Sequence, residues 1–191
     1  IDARIIRMIG EPDDRLTEDP VRILRAIRLS HKLAFELEPS LRESIVRNAP
    51  ALKEAAIPRV REDFLKILRL PDPFRALTEA YDLGVMQACF PSLVEIWEDV
   101  FRLETFRWYL EHKDQILSDN PDPCEELAFL CYVYLKVVNE KKKFSSIMKD
   151  FKDSKHTNFF KDELFIFNAE ASWTRKLFTT IERLSNNNID N

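Results

Sequence analysis

An all-α fold, a multi-helix bundle, is what this sequence predicts, and three observations predict it. Only two glycines, Gly10 and Gly84, stand among 191 residues, which nearly excludes tight hairpins and phosphate-cradling glycine loops. Apolar residues make up 45% of the chain, enough at this length for one sizeable domain or two small helical ones with a real core. Those apolar residues recur with a helical period between prolines.

Residues 1–16 are mixed, and Gly10, Pro12 and Asp13-Asp14 mark a turn. Thr17-Glu18-Asp19-Pro20 then opens a helix, since a proline suits the first helical position and an acidic residue suits the one before it. From Pro20 to about Leu33, Ile23, Leu24, Ile27 and Ala34 fall on one side, with Arg22, Arg25, Arg28 and Lys32 nearly opposite. One face wants a core and the other an anion. Pro39 to Arg47 reads as a short helix, and Pro50 and Pro58 punctuate the way to another at about Arg59–Leu70. Pro71 and Pro73 break the chain before a helix at Phe74–Leu83, which Gly84 ends in the usual C-terminal position.

Beyond Pro91 the pattern changes to long amphipathic stretches, roughly Leu93–Leu117, Cys124–Glu140, Phe144–Asp150, Asn158–Phe167 and Glu170–Leu184. Trp97, Phe101, Phe106, Trp108 and Tyr109 lie at helical spacing there, which reads as core rather than as a base-stacking platform. Asp119-Asn120-Pro121-Asp122-Pro123 is a loop, and Ser185–Asn191 is a polar tail expected to fray. The chain divides into a first helical region, residues 1–91, and a second, residues 92–191. No repeat at a fixed period marks a solenoid.

The net charge of −4 argues against a protein that coats nucleic acid indiscriminately, but the charge is unevenly spread. Residues 1–70 carry 14 Lys and Arg against 12 Asp and Glu, whereas residues 71–191 carry 15 against 21, so a polyanion should prefer the first region. Cys89, Cys124 and Cys131 are odd in number and lack C-x-x-C spacing, which fits reduced core thiols and a cytoplasmic setting. No apolar run approaches the ~20 residues of a membrane helix, and no segment reads as a signal peptide, so no membrane partner is expected. His31, His112 and His156 are scattered, without metal-ligand spacing. A start on Ile1 instead of Met is expected of a piece cut from a longer chain.

The informative string runs from Arg7-Met8-Ile9-Gly10-Glu11-Pro12 through Arg15-Leu16-Thr17-Glu18-Asp19-Pro20-Val21-Arg22 to Arg25 and Arg28. Asp19 offers only acceptors and Arg22 only donors, and a spacing of three residues on a helix makes them neighbours. Cytosine and adenine each present an amino donor beside a ring-nitrogen acceptor, whereas uracil and guanine present the reverse order. Such a pair can therefore choose C and A, because the wrong base leaves buried charge unpaired, and polar recognition of that kind reaches about 10⁴ in discrimination. The same two residues could equally form an N-cap and a local salt bridge.

The string resembles the neck of the class II tRNA nucleotidyltransferases and bacterial poly(A) polymerases, with R-x-I-G-x-P, then E-D-x-x-R and a further R-x-x-R run. The similarity continues through Lys32-Leu33-Ala34-Phe35, Ile57-Pro58-Arg59-Val60-Arg61-Glu62-Asp63-Phe64-Leu65-Lys66, Leu83-Gly84-Val85 and Phe90-Pro91, covering about residues 4–93. Leu16 and Leu29 stand where Phe is usual in that family, and Ala34 where Gly is usual. The resemblance implies a neck over residues 1–91 and a body over 92–191, belonging to an enzyme that extends RNA 3′ ends with ATP or CTP. It implies nucleotide contacts from Glu18, Asp19, Arg22 and Arg25, and contacts to RNA or phosphate from Arg15, Arg28 and Lys32. Glu62 and Lys66, four residues apart, read as a stabilising helix pair.

No Asp-x-Asp occurs in this chain, so the carboxylates that would hold Mg²⁺ are expected on an N-terminal catalytic head lying before Ile1. No catalytic residue is expected within these 191 residues, and the partners implied are tRNA or another RNA 3′ end, ATP or CTP, and that head. A different class of function, a stand-alone helical RNA-binding or adaptor protein without catalysis, fits the same absence.

Overall fold

A computed structural model of the chain describes residues 4–119, 121–138 and 162–164. It opens with strand β1 (Ile5–Ile6), helix α1 (Pro12–Glu18) and helix α2 (Arg22–Leu33), followed by strand β2 (Glu36–Leu37). Helix α3 (Pro39–Asn48), a 3₁₀ segment (Ala49–Glu54), α4 (Ile57–Leu68), α5 (Pro73–Asp82) and α6 (Val85–Cys89) come next. The second region supplies α7 (Pro91–Trp97), α8 (Val100–Glu111), α9 (Lys113–Ile116) and α10 (Pro123–Val138). The expected all-α class holds. Two two-residue strands pair in parallel, Ile5 beside Glu36 and Ile6 beside Leu37, and α1 and α2 form the connection between them.

Proline sets the start of most of these helices, at the first position of α1, α3, α5, α7 and α10 and the second of α4. Its missing N–H costs nothing there, because no carbonyl of the same helix could have received it. The expected turn at Gly10–Asp14 is corrected: Pro12, Asp13 and Asp14 form the acidic first turn of α1, which favours the positive end of its dipole. Thr17 and Glu18 therefore close α1, Asp19 is its C-terminal cap, and α2 begins at Arg22, two residues after Pro20. The expected helix at Leu93–Leu117 is also corrected, since it is divided into α7, α8 and α9. Stretches expected at Phe144–Asp150 and Glu170–Leu184, most of Asn158–Phe167 and the tail from Ser185 lie outside the described residues.

The core is a continuous cluster of side chains from Leu16 on α1 to Val137 on α10, with Leu164 added to it. Ile23, Leu24 and Ile27 of α2 are fully buried, and α2 packs against α4 and α5, but Ala34, expected on the same side, is exposed because it is the left-handed cap beyond the helix end. Phe64 of α4 and Phe90 pack with ring centroids 4.2 Å apart, and Trp97 lies between Tyr81 at 5.5 Å and Phe106 at 5.6 Å. Each such ring or branched side chain contributes about 1.5–3 kcal/mol on full burial. Two of the five aromatics expected in the core are not there: Phe101 and Trp108 face solvent, 66% and 51% exposed. This core fixes α2 against α4 and leaves the charged side of α2 turned outward.

Candidate nucleic-acid interface

The junction of α1 and α2 carries the first group of charges. Gly10 has a left-handed φ of 87°, which turns the chain so that Arg15 Nε reaches the Ile9 carbonyl at 3.3 Å. Glu18 accepts from Arg15 and from Arg22, each at 3.1 Å. The hydrogen bond from Arg15 and the charge of Arg22 hold the Glu18 carboxyl below its ordinary range. Asp19 lies 3.9 Å from Arg22 Nε and accepts a 2.8 Å hydrogen bond from Arg59 of α4. Burial works to raise the Asp19 carboxyl, but Arg59, the Val21 amide and the charge of Arg25 together hold it low, so it is ionised. Its Oδ1 is shielded from solvent and makes no hydrogen bond with any side chain.

One turn further along α2, the basic side chains gather on a single buried carboxylate. Asp63 of α4 is only 3% exposed at its side chain, and Arg25 Nε donates to its Oδ2 at 3.1 Å. Arg28 Nε faces Asp63 Oδ1 at 3.5 Å, an ion-pair contact too long for a good hydrogen bond, so both atoms remain unsatisfied. A carboxylate buried among apolar residues is tolerated only with such partners, and removing them typically costs about 3–5 kcal/mol. Arg25 keeps nearly half of its side chain in solvent and Arg28 a fifth. Lys32 is exposed and forms no ion pair among the described residues.

The seven expected site residues thus fall into two adjoining groups. Arg15, Glu18, Asp19 and Arg22 meet at the α1–α2 junction, Arg25 and Arg28 meet at Asp63, and Lys32 stands alone nearer the C-terminal end of α2. Sequence reasoning did not assign Arg59 and Asp63 to this cluster. Asp63 carried a signal, because it falls on the same face of α4 as buried Val60, Phe64 and Ile67, where a carboxylate needs a reason. Lys66 donates to Glu62 at 2.7 Å, so that pair is the local helix brace expected of it. At the far end of α2, His31 Nε2 donates to the Glu79 carboxylate at 2.7 Å, and Arg42 donates to the other oxygen. The His31 contact holds Glu79 below the usual carboxylate range, with burial opposing it and Arg42 assisting.

The scaffold buries one side of α2 and lines the other with arginines that face carboxylates of the chain. Residues 34–96, from the end of α2 to α7, match the family described as the probable RNA and SrmB-binding site of polymerase A. The CCA-adding enzyme of Limosilactobacillus reuteri is 30% identical over 119 residues, covering 62% of this chain and 29% of that protein. The CCA-adding enzyme of Geobacillus stearothermophilus is 34% identical over 108 residues, with 56% and 26% covered. Poly(A) polymerase I of Salmonella typhi is 34% identical over 95 residues, with 50% and 20% covered. The chain is thus similar, over part of its length, to CCA-adding enzymes and to a bacterial poly(A) polymerase. It spans less than a third of the length of these three relatives.

The fold agrees. A Thermotoga maritima CCA-adding enzyme complexed with tRNA superposes with a TM-score of 0.58 at 18% identity, over 97% of this chain and 42% of that one. A Bacillus stearothermophilus CCA-adding enzyme in complex with CTP gives 0.52 at 25% identity, over 81% and 40%. No described helix is long and apolar enough to cross a membrane.

Proposed function

We propose that this chain is the helical neck and body of an RNA 3′-end nucleotidyltransferase, in which it reads the base of incoming ATP or CTP and holds the RNA substrate. The observation that carries the reading is the Asp19–Arg22 pair, an ionised acceptor 3.9 Å from a donor, with one carboxylate oxygen still lacking a side-chain partner. A base edge with an amino donor beside a ring-nitrogen acceptor matches that order of groups. Both side chains are held internally, Asp19 by Arg59 and Arg22 by Glu18, so a nucleotide must exchange with these partners. The Glu18–Arg22 pair is exposed, and exposed ion pairs are readily given up.

Arg25, anchored by Asp63 and open to solvent, extends the nucleotide contacts toward the phosphates, and Arg15, Arg28 and Lys32 offer charge to RNA phosphate. Among the described residues no group of three His, Cys, Asp or Glu could hold a metal ion. In this reading Mg²⁺ and the attack of the 3′-hydroxyl belong to a catalytic head outside these residues.

The test uses the complete enzyme, tRNA lacking its 3′ end and each triphosphate in turn. Asp19→Ala and Arg22→Ala should each relax choice among the four nucleotides more than they weaken triphosphate binding, by about 1–3 kcal/mol per lost contact. Unchanged selectivity in both variants removes these residues from the site. The wild-type enzyme in the same assay reports whether C and A are both added or A alone.

A further inference from the structure

Helix α8 carries an exposed aromatic stripe that neither the core nor the basic face uses. Phe101 and Trp108 are 66% and 51% exposed, and the adjacent Val100 is 79% exposed. With Thr105 and His112 at intervening helical positions, these residues share one outward side of α8, the last just past its end. The Trp108 ring is held in place by stacking on His112, with centroids 4.3 Å apart and planes 19° from parallel. Large apolar side chains that stand together in solvent mark an interaction surface more often than scattered single ones do.

The surrounding charge says what kind of partner fits. Glu104 lies between Phe101 and Trp108 on the same side, exposed, with no ion pair among the described residues. Glu98, just before the helix, is likewise exposed and has none. The nearby cations are committed: Arg102 to Glu95 and Arg107 to Glu111, each at 2.7 Å, and Lys113 to Asp114 at 3.6 Å. The stripe is thus rimmed by net negative charge, which repels an RNA backbone, unlike the arginine face of α2.

We propose that this face of α8 docks a protein partner through a cationic amphipathic segment, its apolar side laid over Phe101 and Trp108 and its Lys or Arg residues facing Glu104. The recognition is that of a helix seated on an apolar stripe, with charge setting orientation and choice of partner.

The test is fluorescence anisotropy of the whole chain with three labelled probes. They are a synthetic amphipathic helix with leucines on one side and lysines on the other, its counterpart with glutamates for lysines, and oligo(A). The Leu/Lys helix should bind and the Leu/Glu helix should not. Trp108→Ser and Phe101→Ser should each weaken Leu/Lys binding about tenfold or more, as expected of aromatic anchors. Glu104→Lys should reverse the preference toward the Leu/Glu helix, and it changes only a solvated side chain, so it serves even if an aromatic variant unfolds. Leu/Lys binding that ignores Glu104→Lys, oligo(A) binding lost in Trp108→Ser, or self-association that Trp108→Ser abolishes would each overturn the proposal.

Discussion

Ala34 ends α2 with φ 51° and ψ 46°, in the left-handed region. An L-residue with a Cβ pays about 1–2 kcal/mol there, and glycine avoids that cost. Glycine also has more freedom to lose in the unfolded chain, about 0.5–1 kcal/mol, so the net change is smaller than the strain. Ala34→Gly should therefore raise stability by about 0.5–1 kcal/mol, read as a higher urea midpoint with an unchanged slope. A midpoint that stays or falls would show that Ala34 is not strained. The sequence offered this position only through a resemblance, as an alanine where relatives carry glycine, and the left-handed cap supplies the physical reason. The candidate site was legible in the same partial way. Its basic side chains could be listed from the period of α2, but their anchors could not, because Asp63 lies 38 residues from Arg25 and Arg59 lies 40 from Asp19. Contacts made that far apart in the chain depend on how α2 packs on α4, which no local pattern encodes.

Helices were legible where proline and amphipathic period agree, as at Pro39–Asn48 and Pro73–Asp82, each within a residue or so of its expected bounds. They were misread where one residue type served two signals. Pro12-Asp13-Asp14 suits a turn and a helix start equally, and Gly10 just before it tipped the reading the wrong way. The two strands are too short for any alternation to register, and it is their parallel pairing, with amide hydrogen bonds from Glu36 to the Arg4 carbonyl and from Glu38 to the Ile6 carbonyl, that marks them. Within Leu93–Leu117 the apolar period runs on, but Asp99 interrupts it by accepting hydrogen bonds from the amides of Phe101 and Arg102 at 2.9 and 3.0 Å. That cap starts α8 afresh and directs Phe106 and Leu110 into the core. Asp99→Ala should cost about 1 kcal/mol, since two amides at the helix start lose their acceptor, whereas Asp99→Asn should keep most of it. Equal thermal midpoints for the two variants would mean that packing alone sets the helix boundary.

At the scale of the whole molecule, an acidic total conceals two differently charged surfaces. The basic one, on α2 and α4, is partly neutralised from within, since Arg22, Arg25, Arg28 and Arg59 each face a carboxylate of the chain. Any polyanion bound there must compete with Glu18, Asp19 and Asp63, so mutating one of these arginines perturbs folding and binding together. Lys32 differs, because it is exposed, unpaired among the described residues and part of no buried contact. It can report on phosphate binding alone. Neutralising one phosphate contact releases about one counterion, so the slope of log affinity against log salt should shrink by about 0.9 for duplex and about 0.7 for single-stranded RNA. Lys32→Gln should therefore weaken binding of tRNA lacking its 3′ end, with a slope shallower by roughly that amount and the same thermal midpoint as the parent chain. Glu62→Gln, which removes an exposed negative charge whose ion pair is with Lys66, is the control of opposite sign and should not make the slope shallower. If the Lys32 variant keeps the parent slope while still binding RNA, phosphate does not reach that end of α2, and the RNA path must leave the helix nearer to Arg25.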